Sequence, residues 1–186
     1  MSYKALIIGG SAGSFQVIVQ LLSHLPENYP LPILLSLHRL KHVRNGFVEA
    51  LSIKSKIKII EPHDKEIIKA GVAYLAPANY HMLVDLDRRI SLSIGPQVNH
   101  SRPSIDLSFQ TAAESYRDKL VGVILSGANK DGAYGLKKVG DYGGFTIVQD
   151  PKEAQISTMP TSALNLFNPN KIFTVNQISD FINQLK

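Results

Sequence analysis

The chain of 186 residues contains no cysteine, so it can form no disulfide, no thiolate metal site and no cysteine nucleophile. No segment approaches the roughly 20 apolar residues of a membrane-spanning helix, and the first apolar run is too short for a signal peptide. Low-complexity segments and internal repeats are also absent. These absences predict a cytoplasmic globular protein that does not insert directly into a membrane.

Length and composition favour a single domain. A chain of 186 residues suits one core, which buries roughly 70% of the surface that the unfolded chain exposes. The hydrophobic share of 44% and the charged share of 19% are ordinary for a globular protein. The formal charge of +5 favours an acidic partner, although a solvated surface explains such an excess equally well. We therefore predict one domain over residues 1–186.

A serine stands at a glycine-rich turn near the start of the chain, in the segment LIIGGSAGS. The apolar run before it predicts a buried strand, and three glycines permit a tight turn around Ser11. The segment fits G-x-S-x-G, the pattern that lifts a serine hydroxyl clear of a sheet beside the first amides of a helix. Such turns also bind phosphate on their backbone amides, and the dinucleotide fingerprint and the Walker lysine are both absent. The pattern alone leaves both interpretations open.

Apolar runs of strand length alternate with segments of helical periodicity. This alternation predicts an α/β fold with a doubly wound, mostly parallel sheet and right-handed crossovers. A charged loop is expected over residues 61–69 and an antiparallel hairpin within the sheet over residues 80–94. A long loop is expected after the hairpin, over residues 95–104. The predicted strands are residues 3–8, 33–37, 54–60, 71–75, 120–125, 145–148 and 172–175. Six helices are predicted. The first ends before Pro26, the second contains Phe47 and Leu51, and the third and fourth cover residues 105–116 and 133–139. The fifth follows Pro160, and the last includes residues 178–185.

Three polar residues follow predicted strands: Ser11, His38 and Asp131. Ligands and catalytic groups gather at the carboxyl ends of parallel strands, so we expect these side chains at one edge of the sheet. A serine hydroxyl needs a base within hydrogen-bond reach, and an imidazole suits that task. A carboxylate on the other ring nitrogen fixes the tautomer and stabilises the imidazolium. The three residues therefore form a candidate Ser-His-Asp triad.

Two further basic features have less specific interpretations. The stretch of residues 38–44 carries no interleaved aromatic residue to stack a base, which favours a solvated loop and predicts no nucleic-acid partner. His81 begins the predicted hairpin and fits a structural or rim histidine better than a catalytic base.

Several short motifs, taken in order from residue 5 to about residue 167, resemble the CheB-type chemotaxis methylesterases. Their order and spacing carry the resemblance more than any single motif does. The motifs are Ile8-Gly9-Gly10-Ser11-Ala12-Gly13, His38 with Phe47 and Leu51, Ala76-Pro77 with His81-Met82, Gly95-Pro96 with Asn99, Arg102-Pro103-Ser104-Ile105-Asp106, Gly122-Val123-Ile124-Leu125-Ser126-Gly127, Asp131-Gly132-Ala133 and Met159-Pro160.

The resemblance implies a three-layer α/β/α sandwich that hydrolyses γ-glutamyl methyl esters on the cytoplasmic helices of chemoreceptors, or of a related signalling protein. It also implies possible deamidation of glutamines there, and neither a cofactor nor a metal. By the same resemblance Ser11 is the nucleophile, His38 the general base and acid, and Asp131 the orienting carboxylate. The resemblance further implies residues of the oxyanion site or of substrate binding, namely Ala12, Ala128, Arg102 and Met159.

The sequence departs from the family pattern in three places. Ala128 replaces a methionine in the oxyanion turn, where a backbone amide could still donate. Arg39, Leu40 and Lys41 make the rim after the histidine more basic. Thr158 stands where a glycine usually precedes the Met-Pro pair.

These departures keep two alternatives open. One is a binding protein of the same fold with weak or no catalysis. The other is a nucleotide-binding module, with phosphate on the amides after Gly10 and Arg39 near a ribose phosphate. We also expect no receiver domain within residues 1–186, so phosphorylation of an attached receiver would not switch the protein.

Overall fold

Residues 2–39 and 46–185 are described by a computed structural model of the protein. The predictions for Leu40 and Lys41, and for most of the basic stretch, lie outside the described residues. The strands are β1 (Ala5–Gly10), β2 (Ile33–Leu37), β3 (Lys58–Ile60), β4 (Glu66–Ile67), β5 (Val72–Leu75), β6 (His81–Val84), β7 (Arg89–Ser93), β8 (Leu120–Ile124), β9 (Phe145–Gln149) and β10 (Lys171–Phe173). The helices are α1 (Phe15–Ser23), α2 (Phe47–Ser52), α3 (Ile105–Tyr116), α4 (Ala133–Asp141), α5 (Thr158–Leu166) and α6 (Val175–Asn183), with a 3-10 turn at Arg117–Lys119.

Seven strands form one parallel sheet in the order β10-β9-β8-β1-β2-β5-β3. Every residue of β1, β2 and β8 is buried. Strands that are covered on both faces have continuous apolar sequences, so these three strands could be predicted from the sequence. One core contains residues of α1 and α6, and the other contains residues of α3, α4 and α5, so the sheet lies between two layers. The predicted α/β/α sandwich with a mostly parallel sheet is confirmed.

The strand order reverses at β1, which has β2 on one side and β8 on the other. The chain leaves β1 toward β2 and later returns to the opposite side of β1 with β8. In doubly wound sheets, a crevice opens at such a switch point beyond the carboxyl ends of the strands. The fold thereby brings the ends of β1, β2 and β8 together.

The antiparallel hairpin lies outside the main sheet, which corrects the prediction. Strands β6 and β7 pair with each other, and β4 pairs with β7, to form a separate three-stranded sheet. Strand β4 falls within the segment predicted as a charged loop, because two residues such as Glu66–Ile67 leave no periodic signal. Apolar residues of β6 and β7, including Met82 and Ile90, belong to the core that contains α3.

Two boundaries near the carboxyl terminus also differ from the prediction. Helix α5 begins at Thr158, so Pro160 lies in its first turn, where a proline's missing N–H is harmless. Strand β10 ends at Phe173, and Val175 belongs to α6. The Thr174 side chain accepts from the N–H of Gln177 in a capping box, which starts the helix there. Among the helices of the described part, none is long and apolar enough to cross a membrane.

Candidate active site

The strand-to-helix turn predicted at Ser11 is present between β1 and α1. Gly9 and Gly10 belong to the strand, and the turn itself starts at Ser11. Gly13 has a φ of +82°, and a Cβ there would lie 2.7 Å from the Oγ of Ser126, so this position requires glycine. The Ser14 hydroxyl donates to the Ser11 carbonyl at 2.7 Å and fixes the turn.

His38 follows β2, next to the strand that carries Ser11. Gly10 pairs with Leu37, and the N–H of His38 donates to the Gly10 carbonyl at 3.2 Å. Ser11 and His38 therefore directly follow paired positions of two neighbouring strands. The His38 side chain is 13% exposed, and its Nε2 lies 2.8 Å from the Oδ2 of Asp131. The structure brings the predicted imidazole and carboxylate into contact.

Asp131 is fully buried at the turn between β8 and α4, where five groups donate to its carboxylate. They are His38 Nε2, the Asn99 amide at 3.0 Å, the Ser104 hydroxyl at 3.1 Å, and the backbone N–H groups of Ile105 at 2.7 Å and Asp106 at 3.2 Å. The last two belong to the first turn of α3, whose dipole also favours a negative charge there. Burial raises the pKa of Asp131, but the bonds from His38, Asn99 and Ile105 outweigh it and hold the pKa below its usual range.

An ionised Asp131 determines which nitrogen of His38 carries the proton. A carboxylate accepts only, so Nε2 must donate its proton to Asp131. The neutral ring then has its lone pair on Nδ1. The Asn129 amide lies 3.5 Å from that Nδ1, and its Oδ1 accepts from the Asp131 N–H at 3.0 Å. Nδ1 is thus the nitrogen that can accept a proton.

Two candidate oxyanion donors, Ala12 and Ala128, lie exposed on the turns after β1 and β8. Within residues 2–39 and 46–185, no protein group accepts from the backbone N–H of either residue. Ser126 joins the two turns, because its carbonyl accepts from the Ser11 N–H and its hydroxyl donates to the Ala12 carbonyl, both at 2.9 Å. The arrangement leaves both alanine amides available to a ligand.

The remaining predicted site residues have different environments. Arg102 lines a cleft of about 100 Å³ together with His38, while its Nη1 donates to the carbonyls of Ile94 and Gly95. Met159 is fully buried, and its N–H donates to the Gly127 carbonyl at 2.9 Å. Its side chain packs against Gly127, the residue before Ala128, and its contact with a substrate stays a prediction.

Arg39 does not form the open basic rim that the sequence predicts. Its Nη1 pairs with the carboxylate of Glu61, and its guanidinium lies 4.8 Å from the centre of the Phe47 ring. The side chain is fully buried. The nucleotide interpretation relies on an accessible Arg39, so this ion pair weakens it.

His81 has a structural environment, as the sequence favours. It is buried, its Nδ1 accepts from the Ser104 N–H at 3.1 Å, and its Nε2 lies 2.9 Å from the Pro96 carbonyl. His81 therefore connects the hairpin to the cap of α3.

Sequence reasoning missed several residues that build the site. Asn99 and Asp106 surround the Asp131 carboxylate, and Ser126 and Asn129 shape the turn after β8. Asn99 and Asp106 also line a larger groove of about 640 Å³, which lies beside the site and does not include His38. Asn99, Asp106 and Ser126 belong to motifs that carry the family resemblance, but the sequence assigned them no role. In the described part of the chain, no group of three or more His, Asp or Glu side chains could hold a metal ion.

Comparison with known proteins identifies the relatives of this chain. Residues 6–182 match the family model described as CheB methylesterase. A Leptospira interrogans protein, provisionally named protein-glutamate methylesterase/protein-glutamine glutaminase, is 43% identical over 185 residues, which cover 100% of this chain and 96% of that protein. A Symbiobacterium thermophilum protein of the same name is 32% identical over 96% of this chain but only 49% of its own length. The crystal structure of the Thermotoga maritima CheB methylesterase catalytic domain superposes with a TM-score of 0.93 at 28% identity, covering 100% of both chains.

Proposed function

The chain belongs to the CheB methylesterase family, and we propose that it hydrolyses γ-glutamyl methyl esters on the cytoplasmic helices of chemoreceptors or of a related signalling protein. The proposed catalytic residues are Ser11, His38 and Asp131. The observation that carries the proposal is the 2.8 Å contact between His38 and a buried, ionised Asp131, directly beside the turn that presents Ser11.

In the first half of the proposed reaction, the Ser11 hydroxyl attacks the ester carbonyl while His38 takes its proton at Nδ1. The Asp131 carboxylate stabilises the imidazolium that forms, and the backbone N–H groups of Ala12 and Ala128 donate to the oxyanion. His38 then returns the proton to the departing methoxide, which leaves as methanol. A glutamyl ester on Ser11 remains.

In the second half, water attacks the glutamyl ester and gives a proton to His38 Nδ1. The tetrahedral intermediate collapses, His38 returns the proton to the Ser11 oxygen, and a free glutamate side chain is released. The same steps on a glutamine would release ammonia in place of methanol. All proton transfers use the chain's own residues.

We also propose that residues 1–186 form one catalytic domain. A single seven-stranded sheet with a core on each face supports this, as does the match to about half of the Symbiobacterium protein.

The test is methanol release from a methylated receptor fragment by the wild type and by Ser11→Ala. We expect the Ser11→Ala variant to lose at least about a thousandfold in kcat, because no other group can form the acyl intermediate. Ser52→Ala, at a hydroxyl that bonds the Val48 carbonyl in α2, is the matched control and should retain full activity.

A fluorophosphonate probe separates the proposal from the alternative of a binding protein. The wild type should label at Ser11 at a rate that depends on His38. A folded wild type that neither labels nor releases methanol would be an inactive member of the family, and a Ser11→Ala variant with full activity would disprove the nucleophile.

A further inference from the structure

We propose that Asn99 and Asp106 are positioning residues that hold the Asp131 carboxylate in the orientation in which it binds His38. The inference rests on the proposed catalytic role of Asp131. Both residues act through that carboxylate, and neither is assigned a contact with substrate.

Asn99 connects two carboxylates through one amide group. Its Nδ2 donates to the Oδ1 of Asp131 at 3.0 Å and to the Oδ2 of Asp106 at 2.8 Å. The amide has two hydrogens, so each carboxylate receives one. The backbone of Asn99 has a φ of +51°, a region that asparagine tolerates better than most residues. The bridge fixes the distance between the two acidic side chains.

Asp106 holds the backbone that follows Asp131. Its Oδ1 accepts from the N–H groups of Gly132 at 2.9 Å and Gly135 at 2.7 Å. Its own N–H donates to the Oδ1 of Asp131 at 3.2 Å. Asp106 therefore fixes the backbone that follows Asp131 at the start of α4. Asn99 links Asp106 to the Asp131 side chain. A rotation of the Asp131 carboxylate would break contacts on both sides.

The charge of Asp106 gives this arrangement an electrostatic effect as well. Burial raises the pKa of Asp106, and the charge of Asp131 raises it further, while bonds from Gly135, Gly132 and Asn99 oppose the rise. A second carboxylate behind Asp131 adds to the negative potential at the imidazole. Other charged or titratable groups around the network are His81 at the Ser104 N–H, Lys130 and Tyr134 on the groove side, and Arg39, His100 and Arg102 beside the imidazole.

The kinetic test compares Asn99→Gly with Asn79→Gly. Asn79 also has a left-handed backbone, with a φ of +67°, and glycine strains neither position. Loss of a hydrogen bond to a charged group predicts a fall of about 10- to 100-fold in kcat for Asn99→Gly, with KM changed less than about twofold. Asn79→Gly should match the wild type.

The second test is NMR detection of the His38 Nε2 proton in the wild type, Asn99→Gly and Asp106→Asn. In both variants the downfield Nε2 proton should exchange faster with solvent than in the wild type, because the Asp131 carboxylate is less firmly held.

The two measurements separate this inference from the proposed function. If the wild type releases no methanol, the proposed function fails while the NMR comparison still decides the positioning role. If Asn99→Gly retains wild-type kcat and wild-type exchange of the Nε2 proton, the inference is wrong even in an active enzyme. Should Asp106→Asn fail to fold, the Asn99→Gly comparison is sufficient, since it leaves the bonds of Asp106 to α4 intact.

Discussion

His38 carries every proton transfer of the proposed reaction, and its two ring nitrogens face different partners. Nε2 binds Asp131 at 2.8 Å, and Nδ1 lies toward Asn129 at 3.5 Å. The proton on Nε2 is set by a carboxylate that can only accept. The reactivity of Nδ1 therefore depends on a residue that does not touch the substrate.

Replacing Asp131 by asparagine should lower kcat by about a thousand- to ten-thousandfold. The amide can donate to Nε2, which would move the imidazole proton to Nδ1 and leave no lone pair for the Ser11 hydroxyl. Steady-state methanol release should show this loss with KM nearly unchanged. Asp141→Asn, which removes an exposed carboxylate paired with Lys137, should behave as the wild type. Wild-type turnover in Asp131→Asn would disprove the orienting role.

At the residue scale, the sequence predicted groups that follow strands and missed groups that reach them from loops. His38 and Asp131 each follow an apolar strand, so a sheet edge was expected to bring them together, and it does. Asn99 is 32 residues from its partner Asp131 and lies in a segment without periodicity. No local pattern specifies a contact of that kind.

Ser126 is the link between the two turns that carry the proposed oxyanion donors. Its backbone bonds Ser11 and the side chain of Gln149, and its hydroxyl contacts Ala12 and the backbone of Ile156. The turns after β1 and β8, strand β9 and the segment before α5 thus meet at one fully buried residue.

Ser126→Ala should lower the free energy of unfolding by about 1–3 kcal/mol, because the N–H of Ile156 and the carbonyl of Ala12 lose a buried partner. Urea denaturation would measure this loss. Ser162→Ala, at an exposed hydroxyl that bonds the Thr158 carbonyl within α5, should change stability by less than about 0.5 kcal/mol. Equal stability of Ser126→Ala and the wild type would mean that water or a shift of the turns replaces the lost bonds.

Among the elements, buried strands were predicted more accurately than short or exposed ones. The prediction for β2 matches its bounds, because Ile33–Leu37 is apolar except for one buried serine. Strand β4 and the separate three-stranded sheet were missed, since pairing between Glu66–Ile67 and β7 depends on tertiary packing. The end of β10 was predicted two residues too late, although Thr174 and Gln177 have the spacing of a capping box that starts a helix.

At the scale of the whole molecule, several tyrosines lie within the packed interior. Tyr116 ends α3, is 5% exposed and belongs to the core shared with the three-stranded sheet. Burial raises its pKa to about 12, although the nearby Arg88 opposes the rise. The folded protein therefore holds this proton more tightly than the unfolded chain, in which tyrosine titrates near pH 10.

Folding stability should consequently fall as the pH rises from about 10 to about 12, because the unfolded state loses the phenol proton first. For Tyr116 the expected loss is about 2–3 kcal/mol over this range. Urea denaturation at several alkaline pH values gives the free energy of unfolding of the wild type and of Tyr116→Phe. The loss is the difference between the slopes of these two free energies against pH. Tyr80→Phe, at an exposed tyrosine, should keep the wild-type slope. Parallel slopes for wild type and Tyr116→Phe would contradict the expectation.

The reversal of strand order at β1 has a consequence for the time at which activity can arise during synthesis. Ser11 and His38 leave the ribosome early, but their carboxylate partner follows β8, about 90 residues later, and its donors lie in α3. A nascent chain that ends before Asp131 therefore has the proposed nucleophile and base without the group that sets the imidazole proton. Esterase activity should therefore appear only once β8 has docked beside β1 and Asp131 has reached His38.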